Sequence, residues 1–145
     1  MSTMKVEVSE KNPRWVPKER QLELVHFTKQ LKYWITEYNN YDIASVKYTD
    51  KITVSDISDR TAKTAIKKAE YAKKINMVNE SARKAVYDVV PWIDFEKRCI
   101  LVDKLLEGII EGKKYYALNI DNLISEYYYY RIYRSYFWFL DKERG

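Results

Sequence analysis

An all-α fold is what this sequence predicts: an N-terminal helical scaffold followed by a small, aromatic-rich C-terminal head. Three observations carry the expectation. Only 3 Gly and 3 Pro among 145 residues leave too few turn-formers for sandwiches, Greek-key barrels or glycine-rich phosphate loops. Apolar residues recur at three- and four-residue intervals over most of the chain beyond Pro17, the period of a helix with one buried face. The only β-branched stretch with weak alternation is residues 41–57.

Taken in order, residues 1–17 read as a flexible arm in which Pro13 and Pro17 bracket Arg14-Trp15-Val16. Pro17 suits a helix start. Leu24, Phe27, Leu31, Trp34, Ile35 and Tyr38 then give one helix over residues 18–39, with Asn39-Asn40 as its stop. Residues 41–57 read as an extended connector, with a short hairpin as the alternative. Ser58 or Asp59 offers an N-cap for a second helix whose face is Ala62, Ala65, Ile66, Ala69, Ala72, Ile75 and Val78. It either runs on to Val90 or breaks near residues 76–79, and Pro91 closes it. An alanine face permits close helix packing but buries little area, so a partner helix is expected there, from self-association or from an inhibitory protein.

Asp94 is a natural cap for a third helix over residues 94–106, with Phe95, Cys99, Val102, Leu105 and Leu106 on one face and Ile109 extending it. Gly108 and Gly112 mark a loosening. A short helix over residues 117–123, a break at Ile124-Ser125 and a final helix to Lys142 complete the chain. The expected organisation is an arm (1–17), an N-terminal helical region (18–90) and a C-terminal domain (91–145).

Composition excludes several functions. With one Cys and one His, neither a disulfide framework nor a zinc finger can form within one chain. Cys99 reads as a buried structural thiol and His26 as a packed or rim residue, since a nucleophile pair would need them to meet by tertiary accident. Asp50, Asp56 and Asp59 precede a helix, where carboxylates serve as caps and dipole partners more often than as Mg²⁺ ligands. No nucleotide-binding loop, zincin or nucleophile-elbow motif is present. The reading is a non-enzymatic protein with no cofactor and no metal. The absence of an apolar run near the ~20 residues of a membrane span, and of a signal-like apolar core in the first residues, points to the cytoplasm.

The net charge of +5 is unevenly placed. Residues 60–88 hold eight basic groups against three acidic ones, and a basic stripe such as Lys63, Lys67 and Lys74 can follow a phosphate backbone or simply form a solvated face. The most informative stretch is Ser125-Glu126-Tyr127-Tyr128-Tyr129-Tyr130-Arg131-Ile132-Tyr133-Arg134. Ser125 is a good N-cap, and Tyr129, Ile132, Tyr136, Phe137 and Leu140 form a stripe to be buried. The opposite face carries Tyr127, Tyr128, Tyr130, Arg131 and Arg134. That is the layout of a recognition helix in a helix-turn-helix, with Arg for base edges or phosphate and Tyr for phosphate and sugar. Tyr, Trp and Arg are equally the preferred anchors of protein interfaces. Trp34 and Trp92 read as core or interface anchors, and Trp15 as the tryptophan open to a partner.

Over residues 88–141, and above all at residues 125–132, the chain resembles the phage-encoded late-gene transcription regulators of the ArpU/RinA/LtrC type, whose C-terminal part is similar to sigma-factor region 4. The resemblance rests on the Ser, Tyr-Tyr-Arg-Ile and basic/aromatic helix end, with the Arg98 and 120–123 helices before them. The glycine usual in that turn is absent from Leu123-Ile124-Ser125, and Tyr136 stands where alanine is common. The resemblance implies an activator of phage late genes (packaging, morphogenesis and lysis) in the bacterial cytoplasm, engaging double-stranded promoter DNA and host RNA polymerase. Ser125, Tyr127, Tyr128, Tyr130, Arg131 and Arg134 would then meet DNA, with Lys113, Lys114, Lys63, Lys67 and Lys74 on flanking phosphates. The competing reading is a non-catalytic interaction module or packaging accessory subunit.

Overall fold

The computed structural model describes residues 14–47 and 54–145, with side chains described at 14–40 and 62–145. The order is α1 (Lys18–Lys29), α2 (Leu31–Lys47), α3 (Val54–Val89), α4 (Phe95–Glu111), a 3₁₀ turn (Tyr115–Leu118) and α5 (Glu126–Arg144), with no strand among the described residues. The chain forms two compact units, Met1–Lys29 with Val78–Gly145, and Gln30–Met77. The divisions between these units fall at residues 29/30 and 77/78.

The expected single helix over residues 18–39 is interrupted at Gln30. Two residues earlier the buried Thr28 Oγ1 donates to the Leu24 carbonyl at 2.8 Å, a side-chain bond that competes with the helical ladder and bends it. Residues 41–47 and 54–57 are helical rather than extended. β-Branched residues such as Ile43 and Val46 lose only a few tenths of a kcal/mol in a helix, so weak alternation is easily overridden. Residues 48–53 lie outside the described ones. α3 is continuous through residues 76–79, since asparagine disfavours but does not break a helix.

In the second unit, Trp34 is buried, and Tyr33 meets Tyr71 edge-on at 6.2 Å. The first part of the expected alanine face is open to solvent, with Ala62, Ala65, Ile66 and Ala69 exposed, while Ala72 and Ile75 are half-buried and Val78 is buried. Aromatic partners from α2 bury more area than alanine could, so α3 turns Tyr71 and Lys68 toward Tyr33 and Tyr38.

The first unit is assembled around α5. Tyr129, Ile132, Tyr136, Phe137 and Leu140 are all buried, as the periodicity requires. They meet α1 through Tyr136, whose hydroxyl lies 2.7 Å from Thr28 Oγ1. Asp94 caps α4 by accepting from the Lys97 amide at 2.9 Å. The buried face of α4 is Leu101, Val102, Leu105, Leu106 and Ile109, and its first turn runs past the core. Phe95 and Cys99 are therefore exposed, contrary to the stripe expected from spacing, because periodicity does not say where the covering layer stops.

Gly108 sits inside α4 rather than in a loosened end, and Gly112 is the left-handed C-cap at φ 68°. A Cβ on Gly108 would lie 2.7 Å from the Tyr129 hydroxyl oxygen and 3.2 Å from Lys113 O. Alanine in place of glycine gains about 1 kcal/mol of helix propensity, whereas overpacking a tight site costs about 1–3 kcal/mol. Tyr129 is buried and cannot swing away, so Gly108→Ala is expected to lower the urea midpoint; an unchanged or higher midpoint would show that Tyr129 relaxes freely.

Candidate nucleic-acid interface

The segment between α4 and α5 is not the short helix expected over residues 117–123. It is one 3₁₀ turn, ended by Asn119 at φ 55°, then turns in which the Leu123 and Ile124 amides donate to Ile120 O at 2.9 and 3.1 Å. Leu118, Ile120 and Ile124 are all buried, and a regular helix would not aim all three inward. Tyr115 Oη donates to Ile124 O at 2.6 Å and closes the segment on itself. Ser125 follows in extended conformation and its hydroxyl accepts from the Tyr128 amide, which caps α5.

α5 therefore starts at a fixed point and presents its solvent face in register. Tyr127, Arg131 and Arg134 are exposed along one strip, with the Arg131 guanidinium 5.6 Å from the Tyr127 ring. No carboxylate among the described residues forms an ion pair with either arginine. Tyr128 and Tyr130 flank the strip and are half-buried. Tyr128 meets Trp92 edge-on at 5.8 Å, and Tyr130 packs on Tyr129 and Tyr133.

The strip continues beyond the predicted residues. At 3.6 residues per turn, Trp138 and Lys142 lie below Arg134 on the same face, so the line from Tyr127 to Lys142 runs about 22 Å. Arg14 Cζ lies 4.0 Å from the Trp138 ring and Lys142 Nζ 4.5 Å from it. Arg14 is thus docked rather than part of a free arm, with Val16 buried beside it. The four-and-three spacing of residues 127, 131, 134, 138 and 142 was the available signal for the two α5 members; nothing local announced Arg14.

Arg14 is held by Asp88, which accepts from its Nε at 3.3 Å and from its Nη2 at 3.1 Å. The buried Ser135 also donates to Asp88, at 2.9 Å. Burial pushes the Asp88 carboxyl up, but the Arg14 and Ser135 hydrogen bonds and the charges of Arg14 and Arg131 outweigh it, leaving a pKa below the ordinary 3.8. A carboxylate with a lowered folded pKa adds stability that is complete above its unfolded value and is lost as pH falls through the folded one. Asp88→Asn should therefore flatten the fall in melting temperature below about pH 4; a wild-type slope in the variant would refute the assignment.

Other expected contacts are placed differently. Lys113 Nζ lies 3.0 Å from Glu107 and 3.5 Å from Glu111. The Glu107 hydrogen bond and both carboxylate charges raise its pKa. Lys114 is exposed without an ion pair. Lys63, Lys67 and Lys74 belong to the second unit, and Lys74 lies 5.7 Å from the Trp34 ring. Trp92 is 66% exposed rather than a core anchor, and Trp15 is half-buried. Among the described residues no group of His, Cys, Asp and Glu could hold a metal ion, and no helix is long and apolar enough to cross a membrane. The side chains of Asp50, Asp56 and Asp59 lie outside the described ones.

No family model, no curated protein and no solved structure matches the chain.

Proposed function

We propose that the chain is a DNA-binding protein that lays the exposed face of α5 against duplex DNA. The observation that carries this reading is the pair Arg131 and Arg134, exposed and without carboxylate partners on a capped, firmly seated helix. Guanidinium groups not held in an ion pair can meet base edges and phosphates alike. Tyr127 beside them suits phosphate or sugar, and Lys142 and Lys114 add charge at the margins. An adaptor that used this helix internally would have its arginines paired against another helix, and these two are not.

The narrower reading follows from the resemblance at residues 125–132: a phage-encoded activator of late genes that meets promoter DNA and host RNA polymerase in the bacterial cytoplasm. The lone turn before α5 departs from a helix-turn-helix with two full helices, so α5 and not the preceding segment carries the DNA contacts in this proposal.

Selection of a duplex from a randomised library, followed by binding to the selected and to a random duplex across a salt series, tests it. Preferential binding whose logarithm falls linearly with log salt is expected. No enrichment and no measurable affinity for either duplex at low salt would overturn the reading.

A further inference from the structure

The end of α3 and the start of α4 carry apolar area that the core does not use. Phe95 is 73% exposed and Tyr87 59% exposed. With Phe139 they line a groove of about 380 Å³ whose other walls include Arg83, Lys84 and Arg98. Contiguous exposed apolar surface of this kind marks binding sites, and aromatic side chains with Arg are the usual anchors.

The charges around the rings are not balanced alike. Arg83 pairs with Glu80 on its own helix, and Lys84 Nζ reaches Glu143 at 3.1 Å. Arg98 has no carboxylate. It lies 5.1 Å from the Tyr87 ring and donates one N–H to Ile93 O at 3.3 Å, while its Nε is shielded from water with no acceptor. A half-buried guanidinium with no counter-charge is costly to the free protein, and a carboxylate is the group that matches its geometry. Asp88, the carboxylate in the groove wall, is already engaged by Arg14 and Ser135.

We propose that this groove docks an acidic amphipathic segment of a partner protein, an apolar side chain entering among Tyr87, Phe95 and Phe139 while a carboxylate pairs with Arg98. Arg83 and Lys84 are already paired with Glu80 and Glu143, so the unmatched Arg98 guanidinium supplies the charge complementarity that selects an acidic partner. A second copy of this chain would bring its own 60–88 segment, with eight basic and three acidic groups, and like charges would oppose it. Nucleic acid fits less well, because Arg98 already lies over the Tyr87 ring on which a base would stack. The groove adjoins the Trp138 end of the α5 strip, where Arg14 pairs with Asp88 and lies 5.4 Å from the Phe139 ring, but at 3.6 residues per turn Phe139 lies about 80° around the helix from Arg131 and about 140° from Arg134.

The probe is a fluorescent helical peptide of roughly 16 residues with Leu and Phe at i, i+3, i+4 and i+7 and Glu on the flanks, titrated against the full chain. A twin with Lys for every Glu, and a single-stranded oligonucleotide, are the comparators. The Glu peptide is expected to bind at least about tenfold more tightly than its Lys twin. Phe95→Ala and Arg98→Gln should each weaken it by about tenfold or more. Phe95 is so exposed that its truncation should leave the circular dichroism and the melting curve unchanged, which keeps the test valid if Arg98→Gln misfolds. Equal affinity for the two peptides, no peptide binding, an unchanged Kd in Phe95→Ala, or oligonucleotide binding that Phe95→Ala abolishes would each overturn the proposal. DNA binding through α5 should persist in Phe95→Ala, so the two sites stand or fall separately.

Discussion

Arg131→Ala combined with Arg134→Ala is expected to abolish preferential DNA binding while leaving the fold intact. Both side chains are exposed and carry no ion pair, so their removal opens no cavity and strands no buried partner; surface changes of that sort stay within about 0.5 kcal/mol of stability. Each arginine that meets a guanine edge bidentately contributes about 1–3 kcal/mol of discrimination. Each one that meets phosphate instead adds about one unit to the salt slope and affects all sequences alike. The single variants separate these roles. If Arg131 reads a base, Arg131→Ala weakens the selected duplex more than the random one. Equal losses on both, with a shallower slope, would assign it to phosphate and sink the base-reading role. Unimpaired binding by the double variant would remove α5 from the interface altogether.

Phe137→Ala should be the most destabilising single truncation on α5. The ring is fully buried, with Tyr133 edge-on at 4.8 Å and Tyr136 at 5.1 Å. Truncating a buried Phe costs about 3–5 kcal/mol through lost transfer energy and a residual cavity, a large share of the ~5–15 kcal/mol that holds a domain folded. Tyr127→Ala on the same helix serves as the control, because its ring is 64% exposed. Urea unfolding should show a much lower midpoint for Phe137→Ala and almost none of that change for Tyr127→Ala. Matching midpoints would mean that α5 is not seated by its apolar stripe. At low temperature, where the Phe137→Ala chain is still folded, its DNA affinity should equal that of the wild type, since Phe137 is fully buried and about 120° around α5 from Arg131.

Much of α5 and α4 was legible from residue order alone. Five buried positions on α5, its Ser125 cap and the Asp94 cap of α4 follow from helical period and from side chains able to accept an amide hydrogen bond. Both are local quantities, set within one or two turns of chain. The misreadings share a different cause. Whether Phe95 and Cys99 are covered depends on which distant element arrives above them, and period cannot say. Chain breaks were equally opaque: the interruption at Gln30 follows a Thr28 hydroxyl shared between Leu24 O and Tyr136, 108 residues away.

The candidate site divides in the same way. Residue order by itself determined that Tyr127, Arg131 and Arg134 share a face opposite the apolar stripe, because 3.6 residues per turn leave no other arrangement on a helix. Only the tertiary structure decided which cations remain available. Ion pairing acts over a few ångströms of space whatever the sequence separation, and so Glu107 and Glu111 take Lys113 while Asp88 brings Arg14 across 74 residues to the Trp138 end of the strip. The same long-range packing left Arg98 without a carboxylate and Phe95 without a cover, where the helical pattern of α4 had promised an ordinary buried face.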